Sequence, residues 1–239
     1  MPRLTAILVL TLTCFRPAFA QVSYSPEHRE WEASGFLGGS FGGNFQFPTT
    51  VSGDSQGSSR TVGMHYASGY QIGMRVTQNL GDSWAAALEY NFANQPLRFT
   101  NLSPSIQSLS LSHNVHHVSY NVLYLPLSPT QRFRPYGTMG AGAALFYIPG
   151  RSKNEALALG LGLRDSWEFA FNWGGGFKYL VEDQFAFTFD LKDQVSGIPS
   201  YGLPRSAQVI NGQYQPGISR SGLLHNWQLN FGVAFQWDE

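Results

Sequence analysis

The densest cluster of chemically capable side chains is His113-Asn114-Val115-His116-His117-Val118-Ser119. On an extended chain His117 and Ser119 share a face, where an imidazole can activate a neighbouring hydroxyl. Zinc fits less well. His113 and His117 share that face too, but four residues separate them by roughly 13 Å along a strand. Bonds of ~2.0–2.1 Å cannot reach one ion from both, and His116 points the other way. No metal and no cofactor is expected. The glycine runs fail as phosphate cradles: Gly174-Gly175-Gly176 has no following Lys-Ser/Thr, and Gly140-Ala141-Gly142 lacks the third glycine of a dinucleotide fingerprint. The remaining chemistry lies in five charged residues set among small and polar neighbours: Arg75, Glu89, Lys178, Asp190 and Lys192.

What positions these residues is a period of two. The last segment places Trp227, Leu229, Phe231, Val233, Phe235 and Trp237 on one face, with Asn226, Gln228, Asn230, Gly232, Ala234 and Gln236 on the other. Successive strand side chains point to opposite sides, so this is a strand with one apolar face. The same alternation recurs at 31–41, 66–77, 84–93, 116–125, 167–180 and 185–192. Residues 133–147 read as a further strand of unassigned facing, which makes eight. In the 66–77 segment Tyr66, Tyr70, Ile72, Met74 and Val76 read as one apolar face. Leu109, Leu111 and Val115 continue an odd-numbered apolar face that conflicts with the even face of 118–124. Either a bulge near 113–117 or a segment standing beyond the lipid resolves the conflict.

Composition narrows the class. The chain has 239 residues, 43% hydrophobic and 15% aromatic but 13% charged, and its mean hydropathy is −0.17. So aromatic and uncharged a chain is not disordered, and 15 basic against 15 acidic residues argue against nucleic acid as a partner. Only the N-terminus carries a long apolar run. Met1-Pro2-Arg3, the apolar stretch 4–15 and Ala18-Phe19-Ala20 read as a secretory signal cleaved before Gln21; twelve residues are too few for a spanning helix, which needs ~20. The only cysteine, Cys14, leaves with it. Loss of Arg3 and Arg16 gives a mature charge of 13 − 15 = −2.

Connection lengths supply an independent test. Short links at 79–83, 126–132 and 181–184 alternate with long ones at 42–65, 94–115, 149–166 and 193–222. Short turns at one end and long loops at the other mark an outer-membrane barrel with periplasmic turns. A sheet in lipid must close on itself to pair its backbone, and eight strands make a barrel just wide enough for its own side chains to fill. The expectation is all-β: an eight-stranded antiparallel transmembrane up-and-down β-barrel. It divides into a signal (1–20), a periplasmic segment (21–30) and the barrel with four long extracellular loops (31–239).

Inside such a barrel the five charges form a structural network. The 79–83 turn brings Arg75 opposite or diagonal to Glu89. The 181–184 turn sets Lys178 near Thr188 and diagonal to Asp190, with Lys192 on the same face and Glu32 and Glu168 as further candidates. Gly174 and Gly176 leave room opposite Asp190 and Lys192.

Three stretches carry a resemblance: Arg134-Pro135-Tyr136-Gly137 running into Met139-Gly140-Ala141-Gly142, Asn172-Trp173-Gly174-Gly175-Gly176-Phe177-Lys178-Tyr179, and Phe187-Thr188-Phe189-Asp190-Leu191-Lys192-Asp193. They resemble small eight-stranded outer-membrane proteins of the OmpA-like, outer membrane protein beta-barrel domain kind. The resemblance implies the outer membrane of a Gram-negative-type bacterium, contact with its lipids and lipopolysaccharide, and passage through the barrel-assembly machinery. It implies Phe235 and Trp237 as the assembly signal, although Asp238-Glu239 follow them. Outer-membrane lipid A deacylases are similar barrels with a His-x-Ser pair and a downstream Glu. His117 and Ser119 match the pair, but 133–147 holds no Glu and the pair sits on the polar face.

The long loops are the other functional candidates. Residues 48–60 are Ser/Gly/Thr-rich and expected to be mobile, and 154–159 to form a short helical turn capped by Asn154. The 193–222 loop holds Tyr201, Arg205, Tyr214 and Arg220, residue types favoured at binding surfaces. The first expectation is a non-enzymatic structural or surface-binding and adhesion role through the loops. The second is OmpW-like passage of a small hydrophobic molecule, and the last a deacylase-like enzyme.

Overall fold

A computed structural model describes residues 29–50, 59–103, 106–210, 213–218 and 221–238, and of 47–50, 59–60, 210 and 213–214 the backbone alone. The expected signal and most of the 21–30 segment lie outside the described residues. In chain order the elements are β1 (Trp31–Gly42), β2 (Asn44–Thr50), β3 (Ser59–Tyr66), β4 (Gly69–Asn79), β5 (Trp84–Asn94), β6 (Leu97–Thr100), β7 (Ser108–Leu111), β8 (Asn114–Tyr124) and β9 (Phe133–Tyr147). There follow α1 (Gly150–Ala158), β10 (Ser166–Leu180), β11 (Phe185–Gly197), β12 (Gln208–Ile210), β13 (Gln213–Gln215) and β14 (Leu223–Trp237).

Eight of the strands close an antiparallel barrel in the order β1-β14-β11-β10-β9-β8-β5-β4, with β4 returning to β1. Each apolar face reads outward: Phe169 is 71% and Trp167 69% exposed, an apolar surface that only lipid can cover. On β9, Arg134, Tyr136, Ala144 and Phe146 are buried while Phe133 and Met139 are exposed, so its even positions face inward. Glycines permit close strand approach where large side chains turn in. Gly174 and Gly176 lie directly opposite Lys192 and Asp190, and a Cβ at either would run into a β11 carbonyl.

At the long-connection end, extracellular on the reading above, the loops are folded. β2, β3, β6 and β7 form a second sheet in the order β2-β3-β6-β7. Its strands continue the run of β1, β4, β5 and β8 beyond the barrel. Of the stretch expected to be mobile, residues 48–50 and 59–60 pair in β2 and β3, and 51–58 lie outside the described residues. The expectation for Tyr66 is corrected. It ends β3 with 1% exposure instead of joining the lipid face of β4, because the two residues between the strands shift the alternation.

The sheet's inner face, α1 and the 198–218 segment bury one apolar cluster that includes Val62, Met64, Leu97, Phe99, Phe146, Leu163, Ile198 and Ile218. The chain's conventional core therefore sits on top of the barrel as a cap. This resolves the conflict at 109–124. Pairing of β8 with β5 and β9 is continuous from Asn114 to Tyr124, without a bulge. Leu111 and Val115 face inward because the inside changes there from polar lumen to apolar cap. α1 also starts earlier than expected: Pro149 is its N-cap and Asn154 lies mid-helix, since Pro149 accepts the first helical bond from Lys153 (3.0 Å). The longest connection is shorter than expected, because β11 runs on to Gly197.

Candidate functional site

The lumen is filled in layers. Nearest the short turns, Lys178 Nζ meets Glu32 Oε2 at 2.8 Å, and Gln236 Nε2 donates to the same oxygen at 2.8 Å. Above them Arg75 Nε binds Glu89 Oε2 and its Nη2 binds Asp190 Oδ2, each at 2.8 Å. Lys192 closes on the other oxygen of Glu89, and the Tyr136 hydroxyl donates to Asp190. The Phe36 ring lies 5.8 Å from the Arg75 guanidinium and 5.5 Å from the Lys192 ammonium, within reach of cation–π attraction. None of these six charged side chains is more than 3% exposed. Higher still, the fill is neutral: Asn91 donates to Gln71 (3.0 Å) and Gln228 (3.2 Å), Gln228 to Gln194 (2.8 Å), and Gln95 to Asn226 (2.9 Å).

Lys178 stands opposite Thr188 and diagonal to Asp190, as expected, but the partner it takes is the further candidate Glu32, because barrel closure brings β1 and β10 to the same level while Arg75 and Tyr136 occupy Asp190. Glu168 stays out of the network; it accepts from Ser166 Oγ at 3.0 Å near the upper end of β10. Tyr136 and the amides were missed because the facing of 133–147 was open, and amides give no charge signal in a sequence.

The cap holds one polar chain in its apolar core. His113 is fully buried, its Nδ1 donates to the Gln95 carbonyl at 3.1 Å, and its Nε2 is 3.0 Å from the Tyr201 hydroxyl. That hydroxyl is 2.6 Å from the Tyr66 hydroxyl. With Nδ1 donating, Nε2 accepts from Tyr201 and Tyr201 from Tyr66, which satisfies a neutral imidazole. Burial pushes the His113 imidazole down to about 4, against the opposing backbone bond to Gln95. Burial also raises the Tyr66 and Tyr201 phenols above their ordinary range.

The remaining expected site residues are dispersed. Tyr201, expected at a binding surface, is 0% exposed: its hydroxyl completes the chain to His113 and its ring packs edge-on against Phe99 (6.4 Å). Arg205 is exposed. Tyr214 lies in β13, described by its backbone alone, and Arg220 lies outside the described residues. Phe235 stands on the lipid face near the short-turn end, 5.3 Å from Phe185 and 6.0 Å from Trp237. His117 and Ser119 point into the lumen, 3% and 1% exposed, with Ser119 opposite Glu89, so neither touches lipid. Among the described residues no group of three His, Cys, Asp or Glu converges on a metal position.

The family described as outer membrane protein beta-barrel domain matches residues 6–235. No curated protein matches the chain. Among solved structures it is similar to the outer membrane protein OprG of Pseudomonas aeruginosa, with 16% identity, a TM-score of 0.57, and 90% of this chain and 100% of that one covered. It is also similar to Neisserial surface protein A, with 11% identity, a TM-score of 0.49, and coverage of 87% and 96%. At 16% identity the likeness to OprG concerns the fold.

Proposed function

This chain belongs to the outer membrane protein beta-barrel domain family, and from that premise we propose that it is a non-enzymatic barrel that holds a folded cap at the cell surface for a structural or surface-binding, adhesive role. The observation that carries this reading is the double closure: paired side chains fill the lumen, and an apolar core seals its outer mouth. A barrel filled and capped in this way anchors and presents; it does not conduct. Of the two loop candidates whose side chains are described, Tyr201 is buried and Arg205 is exposed. Planar bilayer recording tests the reading. No steady single-channel conductance is expected, and stable openings would overturn it. Protease treatment of intact cells should find the cap outside, and a heat-modifiable gel band in the outer-membrane fraction should report the barrel.

One observation favours a second reading, lateral passage of a small hydrophobic molecule. The β10–β11 ladder ends at Ala170 opposite Ser196, whereas β10 stays paired with β9 up to Ser166. The wall therefore loosens beside the exposed Trp167 and Phe169, next to the cap core. Uptake of a hydrophobic probe that depends on the protein, without conductance, would favour passage over presentation.

A further inference from the structure

Asp193 stands where a lipid-facing strand should hold an apolar side chain. On β11 it follows Phe185, Phe187, Phe189 and Leu191 on the outward face, and its ladder neighbours are Trp173 of β10 and Trp227 of β14. Eight residues above Phe185 on a strand tilted by ~40°, it lies roughly 20 Å up an apolar band ~25 Å tall. That is close to the headgroups of the outer leaflet. An ionisable side chain in such surroundings is costly and points to a function. Trp173 and Trp227, with ring centroids 6.1 Å apart, flank the carboxylate, and its exposure is 1%. Asp193 Oδ2 accepts from His225 Nδ1 at 2.7 Å, while Oδ1 is buried with no partner among the described residues. One row higher, the His225 side chain is 53% exposed.

We propose that His225, oriented by Asp193 and flanked by Trp173 and Trp227, binds the phosphate of an outer-leaflet glycolipid. With Nδ1 committed to the carboxylate, the free edge of the ring, Nε2, is presented to the headgroup layer. An imidazole that is protonated donates from both nitrogens, so that Nε2 can meet a phosphate oxygen while Nδ1 stays on the carboxylate. The two indoles cover the acidic group that would repel an anion and offer aromatic faces to sugar and acyl chain. Arg164 is exposed and directly precedes β10, the strand next to β11. The β11 and β14 backbones are committed to ladder pairing here, which leaves no backbone donors for an oxyanion and favours binding over hydrolysis. The proposal rests on the outer-membrane placement and is independent of what the cap presents.

Full-length protein in phosphatidylcholine nanodiscs, titrated and read by native mass spectrometry, tests it. The probes are a phosphorylated glycolipid, the same glycolipid without phosphate, and phosphatidylglycerol. The wild type should retain the first at least tenfold better than the other two; His225→Ala should abolish that preference and His225→Arg should restore it. A wild type without preference, or equal retention of phosphatidylglycerol, overturns the proposal. So does a preference that survives His225→Ala in a variant with normal heat-modifiable mobility. If His225→Ala fails to fold, the wild-type lipid comparison decides alone.

Discussion

Glu89 holds two cations at once, Arg75 through Oε2 and Lys192 through Oε1, so its loss strands a buried ammonium and unbalances a guanidinium. Removing one partner of such a pair costs roughly 3–5 kcal/mol, mostly as uncompensated charge. Glu89→Ala should therefore lower the temperature of the heat-modifiable transition clearly, and an unchanged transition would deny the pairing its structural role. His113 makes a different prediction. Its folded-state value is depressed to about 4 from 6.5, so between these values the opened cap binds more protons than the closed one. Cap stability is complete above about pH 6.5 and falls as the pH drops toward 4, by roughly 3 kcal/mol in all. Asp165 is the carboxylate that opposes this depression. Protease susceptibility of the cap should rise over that window, and His113→Gln should flatten the rise.

At the scale of elements, barrel and cap are two structures on one set of strands. Phe99 of β6 is 0% exposed in the cap core, and Phe99→Asp should expose the cap to protease while the barrel keeps its heat-modifiable mobility. Simultaneous loss of both would show that cap and barrel fold as one unit. The eight barrel strands were legible in the sequence because lipid on one side and side-chain fill on the other impose a strict period of two. The Arg75–Glu89 pair was legible for a related reason, since a short hairpin fixes its own register. β2, β3, β6 and β7 were not. Alternation at Leu97–Phe99 or Leu109–Leu111 looks the same whether the apolar side meets lipid or a protein core.

The whole molecule is closed twice over, by charge in the lumen and by apolar packing above it. Arg75, Lys178 and Lys192 are matched by Glu32, Glu89 and Asp190, which leaves these six without net charge. A cap opened by Phe99→Asp should thus still give no steady conductance in a planar bilayer, because the fill beneath it does not depend on the cap. A channel in that variant would make the cap the plug and the lumen a path.

Sequence alone determined the all-β class, the eight strands, the inner and outer faces of seven of them apart from Tyr66, and the alternating connections, because these follow from local period and from the demand that a sheet in lipid close on itself. Tertiary structure alone decided which strands lie level across the lumen, and so that Lys178 meets Glu32 instead of Asp190. It also turned Tyr201 from a surface candidate into the buried partner of His113, and set Asp193 between two indoles beside His225. Each of these joins residues far apart in the chain, and only the closed barrel, its stagger and the folding of the loops over its mouth bring them within reach.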